Sequence, residues 1–136
     1  MTWNSIEAGH ERSWDFCITE ADMLSFAELS EDRNSIHLDP ASARNRGFDD
    51  VVVYGALIVA KISALLGTRL PGDGTVWTGL DLNFVSPLYV NQAATVTATV
   101  KHLSRATRLI VLFIRVDAGD RRIAKGSAEC LLRADD

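Results

Sequence analysis

VVVYGALIVAKISALLG, residues 51 to 67, is the most apolar stretch of this 136-residue chain. Lys61 stands at its centre and it is shorter than the roughly 20 residues that a membrane span needs, so residues 54–66 read as a core helix. Its apolar residues fall on nearly every side, which predicts a helix enclosed by other structure. Gly67 is the expected stop. Beyond it, LPGDGT (70–75) is a turn by its Pro and Gly content, and from there the hydrophobic period becomes two. Leu80, Leu82 and Phe84 alternate with Asp81 and Asn83, and Val96, Ala98 and Val100 alternate with Thr95, Thr97, Thr99 and Lys101, as in half-buried strands. LIVLFIRV (109–116) is a more buried strand and DAGDRR (117–122) a hairpin connection. In the last strand Ala124, Gly126, Ala128 and Cys130 share one face, all small, as expected where a sheet lets a helix approach closely.

On the N-terminal side, RSWDFCI (12–18) suits an opening strand, and TEADMLSFAELS (19–30) a helix with Thr19 and Asp22 placed as a capping pair. Asp39 and Pro40 read as the cap and first residue of a short helix running to about Arg44. A strand, helices, one apolar helix and then four strands predict an α+β domain, with an antiparallel sheet wrapped round a central helix. Neither a repeat nor a linker divides residues 1–136, so one domain is expected.

Hydrophobic residues make up 47% of the chain and charged residues 24%, enough apolar surface for one core. A net charge of -4, without a Lys/Arg block longer than two, argues against a nucleic-acid groove. Cys17 and Cys130 form neither a metal motif nor a disulfide framework, and read as buried, reduced thiols of a cytoplasmic protein. The opening MTWNSIEAGHERSWDF is interrupted by Glu, His and Arg too early for a signal peptide.

Chemistry concentrates in FAELSEDRNSIHLDP (26–40). Asp32 and His37 lie five residues apart where a helix gives way to a polar run. A carboxylate and an imidazole that share a water can take its proton and return one elsewhere, as addition of water to an activated double bond requires. The same residues also suit a plain turn, because Asp and Asn are turn formers and an imidazole can fill a polar gap. Gly55, at the head of the apolar helix, either leaves an N–H open to hold a carbonyl oxygen or admits a close neighbour. Ser63 reads as a helical serine with a local hydrogen bond, since no nucleophile-elbow pattern surrounds it. His10 and His102 lack partners at metal-like spacing, and LPGDGT lacks the Lys of a phosphate loop.

LSEDRNSIHLDP, a Gly heading the apolar helix, LLGTRLPGDG and LDLNFVSPLYV, in that order, resemble the MaoC-like, R-specific enoyl-CoA hydratases with the hot dog fold. That family's pattern is Ser, a small or acidic residue, Asp, any residue, Asn, usually Pro, any residue, His; Ser30, Asp32, Asn34 and His37 match it. The resemblance spans about residues 7 to 132. It implies that Asp32 and His37 activate the water that adds to a trans-2-enoyl thioester, giving the R-3-hydroxyacyl product without metal or redox cofactor. It further implies that the Gly55 N–H holds the thioester oxygen, that Asn34 supports the loop and that Ser63 stands near the acyl pocket; pocket size is expected to set acyl-chain preference, with Ile58, Ile62 and Leu65 of the apolar helix as candidate lining residues. The substrate would be carried on CoA or an acyl carrier protein, and two domains paired edge to edge would make a homodimer or a larger homo-oligomer. Two positions depart from the pattern. Tyr54 stands where His usually precedes the helix glycine, and could reshape the turn beside Gly55; Ser35 replaces the usual Pro, which predicts a looser loop. A non-catalytic acyl-thioester-binding or partner subunit, and an acyl thioesterase, are the alternative functions.

Overall fold

The computed structural model describes residues 3–133. After a 3-10 turn at Trp3–Ser5, strand β1 (Glu11–Cys17) leads into helix α1 (Glu20–Ser30). The capping pair is formed: Asp22 N–H donates to Thr19 Oγ1 at 3.2 Å, and Thr19 N–H donates to Asp22 Oδ2 at 2.9 Å. These bonds satisfy two of the donors a helix start leaves open, and the bond from the Thr19 backbone, first, holds the Asp22 carboxyl below its ordinary value. Helix α2 (Pro40–Asn45) starts from Asp39, whose side chain accepts from Ala41 N–H.

Helix α3 (Gly55–Thr68) differs from expectation at its end and at its surface. Gly67 does not stop it. The helix runs on to Thr68, and the N–H groups of Arg69 and Leu70 both reach the Leu65 carbonyl, carrying fully buried Leu70 into the core. Ile58, Ile62, Leu65 and Leu66 form its buried stripe, while Ala56, Ala60, Ser63 and Gly67 are exposed. Within one chain, then, the helix is covered on one side and not enclosed.

Strands β2 (Thr75–Phe84), β3 (Ala93–Ser104), β4 (Leu109–Ala118) and β5 (Arg121–Leu132) complete one five-stranded antiparallel sheet in the order β1-β3-β4-β5-β2. Helix α3 lies against β1, β2 and β3, so the sheet wraps round it as expected. Val96, Ala98 and Val100 of β3 point inward as their alternation predicts, joined by Ile110, Leu112, Ile114 and Val116 of β4. Edge strand β2 departs from the pattern: Val76, Leu80 and Phe84 are 43%, 37% and 51% exposed.

The small face of β5 has another cause than helix packing at its centre. A Cβ on Gly126 would lie 1.8 Å from the Asp81 carbonyl oxygen, so it is the backbone of β2 that requires glycine there. Cys130 is buried, which pushes its thiol up to about 12, but Cys17 at the end of edge strand β1 is exposed, contrary to the expectation for both cysteines. Among the described residues no helix is long and apolar enough to cross a membrane.

Candidate active site

The loop carrying the acid and the imidazole begins where α1 ends. Glu31 takes a left-handed conformation (φ 64) and its N–H donates to the Ala27 carbonyl, turning the chain out of the helix. Short polar side chains then hold the loop from residue to residue. Ser30 Oγ accepts from Asp32 N–H at 3.1 Å, Asp32 Oδ1 from Asn34 N–H at 3.1 Å, and Asn34 Oδ1 from Ile36 N–H at 3.3 Å. One 3-10 turn, Ser35–His37, follows. Ser35 does not leave this turn loose: its Oγ lies 2.6 Å from Ser42 Oγ, tying the turn to α2 by a hydrogen bond where a proline would have acted through its ring.

His37 is half-buried, with Nδ1 2.5 Å from the Val52 carbonyl oxygen. A carbonyl can only accept, so Nδ1 carries the hydrogen and Nε2 is left to take or give a proton. Tyr54 stacks on the imidazole, with ring centroids 4.1 Å apart and planes 29° apart. The Tyr54 hydroxyl donates to the backbone oxygen of Asp32 at 2.5 Å, and Phe26 packs at 4.6 Å from the same phenol ring. Burial, and then the nearby Asp32 charge, raise the Tyr54 phenol above its ordinary value, so it stays a neutral donor at neutral pH.

Gly55 is the first residue of α3, so its N–H has no acceptor within the helix and sits at the positive end of the helix dipole. It lines a cleft of about 340 Å³ together with His37, Phe48, Val53, Ile58 and Phe84. The packing explanation for this glycine holds as well, because a Cβ would meet the Phe84 ring at 3.0 Å. His37 also lines a smaller cavity of about 190 Å³ with Glu20, Met23, Asp50 and Asn91.

His37, Gly55 and Tyr54 are thus brought together. Asp32 is exposed and lines neither cavity; it reaches the others through Tyr54. Ser63 is on the exposed face of α3, away from both cavities. Ile58 lines the cleft, whereas Ile62 and Leu65, further along the same buried stripe of α3, are fully buried core residues that line neither cavity. His10 accepts from Glu7 N–H and His102 is exposed on β3. Among the described residues no group of three or more His, Cys, Asp or Glu is placed to hold a metal ion. The Val52 carbonyl and Phe84 were not foreseen. A backbone acceptor has no signal in the sequence, and Phe84 was indistinguishable from any strand aromatic.

The family model described as "MaoC like domain" matches residues 3–118. The chain is 34% identical over 116 residues to an (R)-specific enoyl-CoA hydratase of Aeromonas caviae, covering 85% of this chain and 87% of that one. An (R)-specific enoyl-CoA hydratase of Rhodospirillum rubrum is 30% identical over 132 residues, 97% of this chain and 92% of the relative. Among solved structures, the (R)-hydratase from A. caviae involved in PHA biosynthesis superposes with a TM-score of 0.90 at 33% identity, covering 95% of this chain and 98% of that one. The sheet wrapped round α3 is the hot dog fold of these neighbours.

Proposed function

The chain belongs to the MaoC-like family, and from that premise we propose that it is a hydro-lyase adding water to trans-2-enoyl-CoA to give R-3-hydroxyacyl-CoA, and catalysing the reverse dehydration. The observation that carries this reading is the cleft that His37 shares with Gly55: an imidazole whose Nδ1 is held by the Val52 carbonyl and the first residue of α3, whose N–H has no acceptor within the helix, line one cavity. With the thioester oxygen held by the Gly55 N–H, negative charge can gather there as the water oxygen bonds to the β-carbon. Of Asp32 and His37, one takes the proton from that water and the other supplies a proton to the α-carbon. Substrate plus water balances the product, with no electron transferred.

An acyl-CoA substrate is supported by the (R)-specific enoyl-CoA hydratase relatives. A homodimer is supported by the exposed apolar residues Val76, Leu80 and Phe84 on edge strand β2 and by the uncovered side of α3, both of which a second copy would shield. A cytoplasmic location accords with two cysteines that form no disulfide.

Incubation of the purified protein with crotonyl-CoA and longer trans-2-enoyl-CoAs, followed by chiral analysis of the products, tests the reading. R-3-hydroxyacyl-CoA is expected. Free CoA thiol would indicate a thioesterase, and unchanged substrate at every chain length would leave a binding module.

A further inference from the structure

Asp32 and His37 are the two groups to which the hydration reading assigns the proton transfers, yet among the described residues no hydrogen bond joins their side chains. The loop between them is shaped by bonds between residues two apart and by an exposed bond from Arg33 to Glu28 of α1, none of which ties it to the core. Its His37 end is secured three times, by Nδ1 on the Val52 carbonyl, by Val52 N–H on the Ile36 carbonyl and by the hydrogen bond between Ser35 Oγ and Ser42 Oγ of α2. At its Asp32 end the bond to the core comes from Tyr54. Tyr54 is well suited to be a fixed reference. It is 2% exposed, its own carbonyl accepts from Leu57 and Ile58 at the start of α3, and Phe26 packs against its ring. A hydrogen bond at Nδ1 leaves the imidazole free to swing about that bond, and a ring stacked 4.1 Å away removes the freedom.

The geometry points to Tyr54 as a positioning residue that couples the two halves of the site, its ring setting the plane of the His37 imidazole and its hydroxyl anchoring the loop that carries Asp32. The kinetic consequence rests on the hydration reading above; the spectroscopic consequence does not. Tyr54→Phe keeps the stack and removes the anchor, whereas Tyr54→Leu removes both.

Steady-state kinetics of the two variants and NMR of the His37 ring protons separate these contributions. Tyr54→Phe is expected to lower kcat about tenfold, with KM changed by less than about twofold, because a small misplacement costs chemistry before it costs binding. In an Asp32→Asn background the same change should add less than about twofold, since groups acting as a unit are not additive. Tyr54→Leu should lose about 100-fold and move the His37 ring protons downfield as the phenol ring current disappears, while Tyr54→Phe leaves those protons in place. Parental kcat in folded Tyr54→Phe, a loss confined to KM, or an undiminished loss in the Asp32→Asn background would overturn the coupling. If the unsubstituted protein hydrates no enoyl thioester, the functional reading fails and NMR judges the positioning role by itself. Slow hydrogen exchange at the Asn34 amide that speeds up in Tyr54→Phe then supports the anchor, and an unchanged rate refutes it. Should Tyr54→Leu not fold, the Tyr54→Phe measurements decide.

Discussion

Ile110, Leu112 and Ile114 of β4 and Cys130 of β5 have no exposed surface, whereas Asp32, Arg33 and Asn34, in the loop after α1, are exposed and held by bonds between near neighbours and by one from the Tyr54 hydroxyl to the Asp32 carbonyl. The first region is held by apolar burial and close backbone packing, worth about 25 cal/mol per Å² removed from water. Each bond in the second contributes little to the fold, roughly 1 kcal/mol or less at exposed sites. A substitution in the sheet should therefore appear as lost stability, and one in the loop as lost chemistry in a protein that still folds.

The sharpest way to break the contrast is at Gly126. Adding one methyl group, in Gly126→Ala, forces β5 and β2 apart at Asp81 and should cost about 3 kcal/mol or more, read as a lower denaturant midpoint. A parental midpoint would mean that the strands have room to adjust. Next come Asp32→Asn and His37→Gln. Each should lower turnover about 100-fold, near 2.7 kcal/mol of barrier, while the unfolding midpoint stays close to parental. Collapse of the fold in either variant would erase the distinction between the regions. Smaller still is Thr19→Ala, which removes the side-chain half of the α1 capping box and should cost about 1 kcal/mol with unchanged turnover.

The smallest effect depends on pH. The Asp22 carboxyl is held below its ordinary value by the bond from the Thr19 backbone, so its contribution is fully present above the unfolded value near 4 and is lost as pH falls through the lower folded value. The stability gap between the parent and Asp22→Asn should therefore be widest near neutral pH and narrow below about pH 4. A gap that widens on acidification would reverse the sign of the assignment.

What could be read ahead of the structure was local. The Thr19–Asp22 box and the Asp39–Pro40 helix start are where the spacing put them, and the hairpin expected at 117–122 is present with a tighter connection, since only Gly119 and Asp120 lie between the paired strands. The stop at Gly67 was misplaced because helix length here answers to Leu70, three residues further on, which has to reach the core. The size of Gly126 was attributed to helix packing because pairing with β2 joins residues over 40 positions apart. In the candidate site, Asp32, His37 and Gly55 stood out by type and spacing, but what joins them did not. The Tyr54 hydroxyl meets a carbonyl 22 residues away and His37 meets one 15 residues away, and main-chain acceptors carry no residue signal. From the chain alone, Tyr54 read as an irregularity; folded, it is the contact between the two halves.

Hydration of an enoyl thioester in the cleft shared by His37 and Gly55 would consume the conjugated double bond, and with it the enoyl absorbance. The most direct measurement is the loss of enoyl absorbance when crotonyl-CoA is mixed with unsubstituted protein and, in parallel, with His37→Gln matched to it in circular dichroism. Absorbance is expected to fall with the unsubstituted protein and to fall about 100-fold more slowly with the variant. Equal rates in the two folded proteins, or no fall in either, would contradict hydration in this cleft.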